Sequence, residues 1–142
     1  MSPNPSDSCP FCAIVAGAEP SHVVYEDGQT IAFLDNRPLF EGHSLLVTRD
    51  HYETLADLPA ELVGALFLAA QKLSQAVPAA MNKPGSFVAL NNVVSQSVPH
   101  IHVHVVPRKP KDGLRGFFWP RTKYKGEQMA DVGAAIRAQL EG

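Results

Sequence analysis

The chain carries almost no net charge: 12 Lys and Arg against 14 Asp and Glu leave −2 over 142 residues. That balance speaks against a general binder of nucleic acid polymers or anionic membranes. No apolar run approaches the roughly 20 residues of a membrane span. Met1 to Ser8 lack the charged and apolar regions of a secretory signal. A cytosolic (cytoplasmic) protein with no membrane partner is therefore the default expectation. Only two cysteines occur, and a disulfide between them is disfavoured in a cytosolic chain. There is no internal repeat and no long linker. One domain is expected over residues 9–142, after a loose Pro- and Ser-rich tail over residues 1–8. Positive charge does gather late, in Arg108, Lys109, Lys111, Arg115, Arg121, Lys123 and Lys125. By charge pattern alone this fits a solvated loop and a phosphate-attracting patch equally.

What the chain does have is three histidines at two-residue spacing, His100, His102 and His104, separated by Ile101 and Val103. A strand sends alternate side chains to opposite faces, so the imidazoles share one side and Ile101, Val103 and Val105 the other. Neighbouring imidazoles start about 6.6 to 6.8 Å apart, from a rise of roughly 3.3 Å per residue. Imidazole titrates near neutrality, attacks phosphorus and binds zinc. A solvated polar strand is the bland alternative, but three histidines in register against a β-branched face are hard to obtain by accident. Spacing alone leaves two chemistries open: a catalytic zinc with an open site, or a nucleophilic imidazole supported by its neighbours. Asn91, Asn92, Gln96 and Ser97 precede the strand. Their amides and hydroxyl suit phosphate oxygens better than a metal shell, although turns use the same residues everywhere. A metal shared by His100 and His104 would need a bend, since i and i+4 on one strand start roughly 13 Å apart.

Cys9-Pro10-Phe11-Cys12 permits a redox pair, a disulfide or half of a zinc site. A redox motif follows a core strand, whereas only the tail precedes Cys9. Spacing does not nominate the partners of a metal.

Short strands are expected over 23–26, 30–35 and 44–48, with Asp27-Gly28 marking a hairpin. Pro59 opens a long helix whose Leu62, Val63, Leu66, Phe67, Ala70, Leu73 and Val77 repeat at helical spacing. Further strands are expected near 86–91 and 100–107, and a last amphipathic helix over about 127–140 with Val132, Ile136 and Leu140. This order fits an antiparallel sheet with helices packed on it, the α+β class.

His100-Ile101-His102-Val103-His104-Val105-Val106 matches the signature His-φ-His-φ-His-φ-φ, φ apolar, at every position. With Val24–Asp27, Ile31–Asp35, Gly42-His43-Ser44-Leu45-Leu46-Val47 and Gln96-Ser97-Val98 in order, the chain resembles the histidine triad (HIT) family from about Cys9 to about Arg108. The resemblance implies a five-stranded antiparallel sheet carrying one long helix, usually paired as a homodimer. It implies a nucleotide hydrolase or nucleotidyl transferase acting at the α-phosphorus of purine nucleoside phosphoramidates or dinucleoside polyphosphates. By that resemblance His102 would be the nucleophile of a nucleotidyl-histidine intermediate. His104 and His43 would donate to phosphate oxygens, and Ser97 would stand near the leaving group. Asp35 would accept from the ribose hydroxyls, Phe11 and Ile14 would sandwich the base, and Asn91 and Gln96 would lie on the phosphate side. Trp119 would shape the partner subunit's site. In zinc-bearing bacterial members the partners of the CxxC correspond to His51 and His100. Cys9, Cys12, His51 and His100 would then hold a structural zinc, and no catalytic cofactor is expected. Two departures stand out. The loop Asn91–Gln96 is shorter than usual and has no glycine, and Thr48 replaces a common proline. The first keeps a second reading open, a nucleotide-sensing or protein-interaction module with little activity.

Overall fold

Strand alternation sorts the apolar residues onto the two sides of one sheet, and each side finds a different cover. The structure, a computed structural model, describes residues 8–114 and 121–141. It divides into two compact units, one ending at Asp112 and one beginning at Gly113. The first unit runs α1 (Pro10–Val15), β1 (Val23–Glu26), β2 (Thr30–Leu34), β3 (Ser44–Thr48), a 3-10 turn (Leu55–Asp57), α2 (Ala60–Ala80), β4 (Gly85–Ala89) and β5 (His102–Arg108). Its five strands form one antiparallel sheet in the order β1-β2-β3-β5-β4.

Ala32, Leu46, Ile101, Val103 and Val105 face α2 and meet its Leu62, Leu66, Ala69, Ala70, Leu73 and Val77 in one buried cluster. Ile31, Phe33, Leu45 and Val47 face the other way and pack on Cys9, Phe11 and Cys12. The histidine side of β5 is therefore not a solvated face. The short α1 segment covers it, and His100 and His102 are 0% and 3% exposed.

The hairpin joining β1 to β2 is held by the Asp27 carboxylate. It accepts from the Tyr25 hydroxyl at 2.7 Å, from the Gln29 and Thr30 N–H groups at 2.8 and 2.7 Å, and from the Thr30 hydroxyl at 3.1 Å. Burial pushes the Asp27 carboxyl up, but these donors outweigh it and bring the pKa down to about 2.

Several expected boundaries shift. β4 ends at Ala89 and β5 begins at His102. His100 precedes the ladder, because its N–H bonds Val98 O and the next N–H bonds Tyr52 O. Phe67 is 40% exposed and lies outside the buried stripe of α2. That helix, 21 residues long, does have the length and composition of a membrane span, contrary to the sequence expectation. Its stripe from Leu62 to Val77 nonetheless packs on the sheet as a core helix does. The second unit contains α3 (Gln128–Glu141), none of whose residues is buried.

Candidate active site and metal centre

β2, β3 and β5 deliver the site through register. Phe33 pairs with Leu45, Leu45 with His104, and Val47 with His102. Directly opposed residues of antiparallel strands share a face, and of these side chains Phe33, Leu45, His102 and His104 line one cleft. The cleft encloses about 620 Å³ and is bounded by Phe11, Ile14, Phe33, Asp35, Leu45, Ser97, His102 and His104, among others. That volume is in the range of small-ligand sites.

The hydrogen bonds fix the histidine tautomers. Nδ1 of His102 lies 2.8 Å from the main-chain oxygen of His100. An oxygen there can only accept, so Nδ1 of His102 carries a proton, and Nε2 is the nitrogen left to serve the cleft that the ring lines. Just before β3 the Leu39 N–H donates to Nδ1 of His43 at 3.1 Å. His43 must then carry its proton on Nε2 and donate it to Nδ1 of His104, 2.9 Å away. His104 in turn holds its proton on Nε2. Burial lowers the pKa of His43, opposed by Asp35. Burial first, then the neighbouring His102 and His43, lowers that of His104 to about 4. Both rings are neutral at physiological pH. The glycine before His43 has a structural reason: Gly42 sits at φ +94°, and a Cβ there would come within 2.6 Å of Met81.

His43 is thus 3% exposed and stands behind His104, absent from the cleft wall. It sits one ring back from the described cleft lining, bonded to His104. Asp35 uses Oδ1 to accept from the Arg37 N–H at 2.9 Å, while Oδ2 lies 3.7 Å from Nε2 of His43. Gln96 and Asn91 are not among the cleft walls. Gln96 braces its own loop, accepting from the Val93 N–H at 2.9 Å and donating to Glu53 O at 2.6 Å. The Asn91 amide donates to Ser95 O at 3.3 Å. Without glycine, the loop reaches left-handed backbone at Val93 (φ 69°) and Ser95 (φ 63°). Trp119 and Arg115 lie outside the described residues. Sequence reasoning did not list Phe33 and Leu45 as site residues, although strand alternation places both on the histidine side. His22, Asn36 and Arg37 also line the cleft from irregular segments that carry no periodic signal.

On the side of the sheet that α1 covers, Cys9, Cys12, His51 and His100 place one donor atom each within 4.8 Å of all the others. Nδ1 of His100 is 3.5 Å from both sulfurs, and Nδ1 of His51 is 3.2 Å from that of Cys12. A tetrahedral zinc with ordinary bond lengths would set sulfur and nitrogen roughly 3.6 Å apart, so the donor set fits. Nε2 of His100 donates to Thr48 O at 2.7 Å, which leaves Nδ1 as a lone pair facing the sulfurs. Burial, with His51 and His102 adding to it, lowers the His100 pKa to about 4 despite the Thr48 bond. The ring is neutral, the form that ligates. These four residues could hold a metal ion.

Asp35, His43 and His104 form a second such group by distance. Its chemistry differs, because Nε2 of His43 holds a proton engaged with Nδ1 of His104. A metal would have to displace that proton and break the bond between the rings.

The comparisons with known proteins agree with this geometry. The HIT domain profile matches residues 16–111. The protein hit of Bacillus subtilis is 33% identical over 95% of this chain and 96% of its own length. An adenylylsulfatase of Arabidopsis thaliana is 34% identical over 76% of this chain and 56% of its own. An adenosine 5'-monophosphoramidase of Saccharomyces cerevisiae is 28% identical over 95% and 84%. A Streptococcus mutans structure superposes with a TM-score of 0.89 at 29% identity, covering 96% of this chain and 87% of that one. A Zn-bound histidine triad family protein of Mycobacterium smegmatis superposes at 0.72 with 36% identity, covering 94% and 96%. With the triad, its supporting ring and the sheet that carries them all in place, the chain belongs to the HIT family.

Proposed function

We propose that the protein is a nucleotide hydrolase or nucleotidyl transferase that acts at the α-phosphorus of a purine nucleoside phosphoramidate. The observation that carries this reading is the tautomer of His102: Nδ1 is committed to the His100 carbonyl, so Nε2 faces the cleft as a nucleophile. Nε2 attacks phosphorus in line, a nitrogen–phosphorus bond forms and the bond to the leaving group breaks. Water then hydrolyses the nucleotidyl-histidine and regenerates the free imidazole. His104, whose proton is held on Nε2, donates to a phosphate oxygen as charge develops there. Ser97, on the cleft wall, is assigned to the leaving atom. Asp35 accepts from the ribose, and Phe11 and Ile14 offer apolar surface to the base.

Charge separates the two candidate substrate classes. Among the described residues lining the cleft, Arg37 is the one Lys or Arg, and it flanks Asp35 at the nucleoside end. A nucleotide leaving group would bring several negative charges to the Ser97 end, where no Lys or Arg stands among the described residues lining the cleft. An amine leaving group brings none. Relatives named for adenosine 5'-monophosphoramidase and adenylylsulfatase activity support a small leaving group on an adenylyl phosphorus. Zinc is our assignment for Cys9, Cys12, His51 and His100, because two thiolates and two neutral imidazoles make a closed shell. The metal would hold structure and take no part in the chemistry. A cytosolic setting suits such thiolates. A homodimer is part of the reading, with β4 as an available sheet edge.

The test is turnover of adenosine 5'-phosphoramidate and diadenosine tetraphosphate under matched conditions. We expect kcat/KM to favour the phosphoramidate by about tenfold or more. The reverse preference would overturn the substrate assignment. Tight AMP binding with no turnover of either compound would favour a nucleotide-sensing module, the alternative that the strained loop at Val93 and Ser95 keeps open.

A further inference from the structure

Phe11 stands where three parts of the molecule meet. Its ring centroid lies 5.0 Å from that of His102 at 80°, 6.0 Å from that of His100 at 73°, and 5.4 Å from that of Phe33 at 64°. The same side chain lines the cleft and is 7% exposed. It therefore touches the proposed nucleophile, a ring of the metal cluster and the nucleotide wall at once. Its neighbours in sequence explain how it is held. Cys9 caps α1 by accepting the Cys12 N–H on its sulfur at 3.3 Å, and both sulfurs face Nδ1 of His100. A helix of six residues has no independent stability. Its position depends on these sulfur contacts and on the packing of Phe11 and Cys12. Ile14, one turn on, lines the cleft as well.

We propose that Phe11 is a positioning residue through which metal bound by Cys9, Cys12, His51 and His100 and nucleotide bound in the cleft strengthen each other. The inference rests on the nucleotide-binding and metal readings above. Metal draws both thiolates to His100 and His51, which fixes α1 and sets Phe11 against His102 and the base wall. Nucleotide packed on Phe11 and Ile14 holds α1 in the same place from the other side. Such coupling is reciprocal: the factor by which metal raises nucleotide affinity equals the factor by which nucleotide raises metal affinity. The His100 carbonyl offers a second route to His102, but that route bypasses the base wall, so changing Phe11 separates the two.

The experiment uses Co2+ as the probe metal and AMP as the probe nucleotide, on the full chain. We expect AMP to bind the Co2+-loaded protein at least about fivefold more tightly than the chelated protein by calorimetry. Co2+ affinity should rise by the same factor in saturating AMP, and the Co2+ d–d absorption should shift when AMP binds. In Phe11→Leu all four ligands remain. Co2+ should still bind, AMP should bind more weakly, and both the coupling factor and the spectral shift should collapse. Equal AMP affinity with and without Co2+ in the unaltered protein overturns the coupling and leaves the nucleotide reading standing. Absence of AMP binding in every form overturns the nucleotide reading, and absence of Co2+ binding the metal reading, each taking the coupling with it. Should the chelated protein unfold, the d–d shift alone decides: an equal shift in Phe11→Leu at saturating AMP overturns the proposal.

Discussion

Nε2 of His43 lies 2.9 Å from Nδ1 of His104, while the Leu39 N–H donates to the other nitrogen of His43. One backbone amide thus sets the proton positions of two rings in series. His43→Ala should lower kcat by about 10- to 100-fold with a smaller change in KM, and His104→Ala by about 100- to 1,000-fold. Because His43 acts through His104, the double variant should be no slower than His104→Ala alone. Multiplying losses would place His43 on the substrate instead.

Acid should weaken the fold through His104. Its pKa is about 4 in the folded protein against 6.5 for the ordinary group, so between these values the unfolded chain binds more protons. The contribution is therefore complete above about pH 6.5 and is lost as pH falls toward 4. Denaturant midpoints across that window, compared with His104→Gln, should show a shallower decline in the variant. Equal slopes would contradict the assignment.

Protein purified without a metal-binding tag should carry close to one equivalent of zinc. Chelation should lower Tm by ~10 °C or more, since bound metal stabilises only the folded state, while activity falls modestly. Elemental analysis finding a small fraction of an equivalent, with Cys9 and Cys12 freely alkylated in the native state, would reject the site.

Val93 holds a β-branched side chain in left-handed backbone at φ 69° and is 75% exposed. Four side-chain hydrogen bonds help hold the loop: Gln96 to the Val93 N–H and to Glu53 O, Asn92 to the Leu55 N–H, and Asn91 to Ser95 O. Val93→Gly should raise stability by about 1 kcal/mol, relief of strain exceeding the entropy that glycine adds to the unfolded chain. A drop in the denaturant midpoint would show that the valine side chain makes a stabilising contact.

The sequence was most legible where one periodicity governs. Alternation in β5 separates His102 and His104 from Val103 and Val105, and the stripe of α2 from Leu62 to Val77 is buried against the sheet. It was least legible where contacts come from irregular turns or from far along the chain. Whether His43 faces a ligand or His104 depends on the Leu39 amide, four residues away in a turn. Nothing near Gln96 in the sequence shows that the fold brings Glu53 beside it. The α1 segment, six residues with no periodic signal of its own, gives no hint in its composition that Phe11 meets His102. The bond between Nδ1 of His102 and the His100 carbonyl, by contrast, joins residues already paired by the two-residue spacing.

The central claim is that His102 becomes covalently nucleotidylated. A substrate labelled on the α-phosphate, mixed rapidly with the protein and quenched in alkali, should leave label on the peptide containing His102. The labelled species should form and decay at rates consistent with turnover. His102→Ala should retain its fold and AMP binding yet lose both label and turnover. Turnover without any labelled protein, or full activity in His102→Ala, would contradict the account.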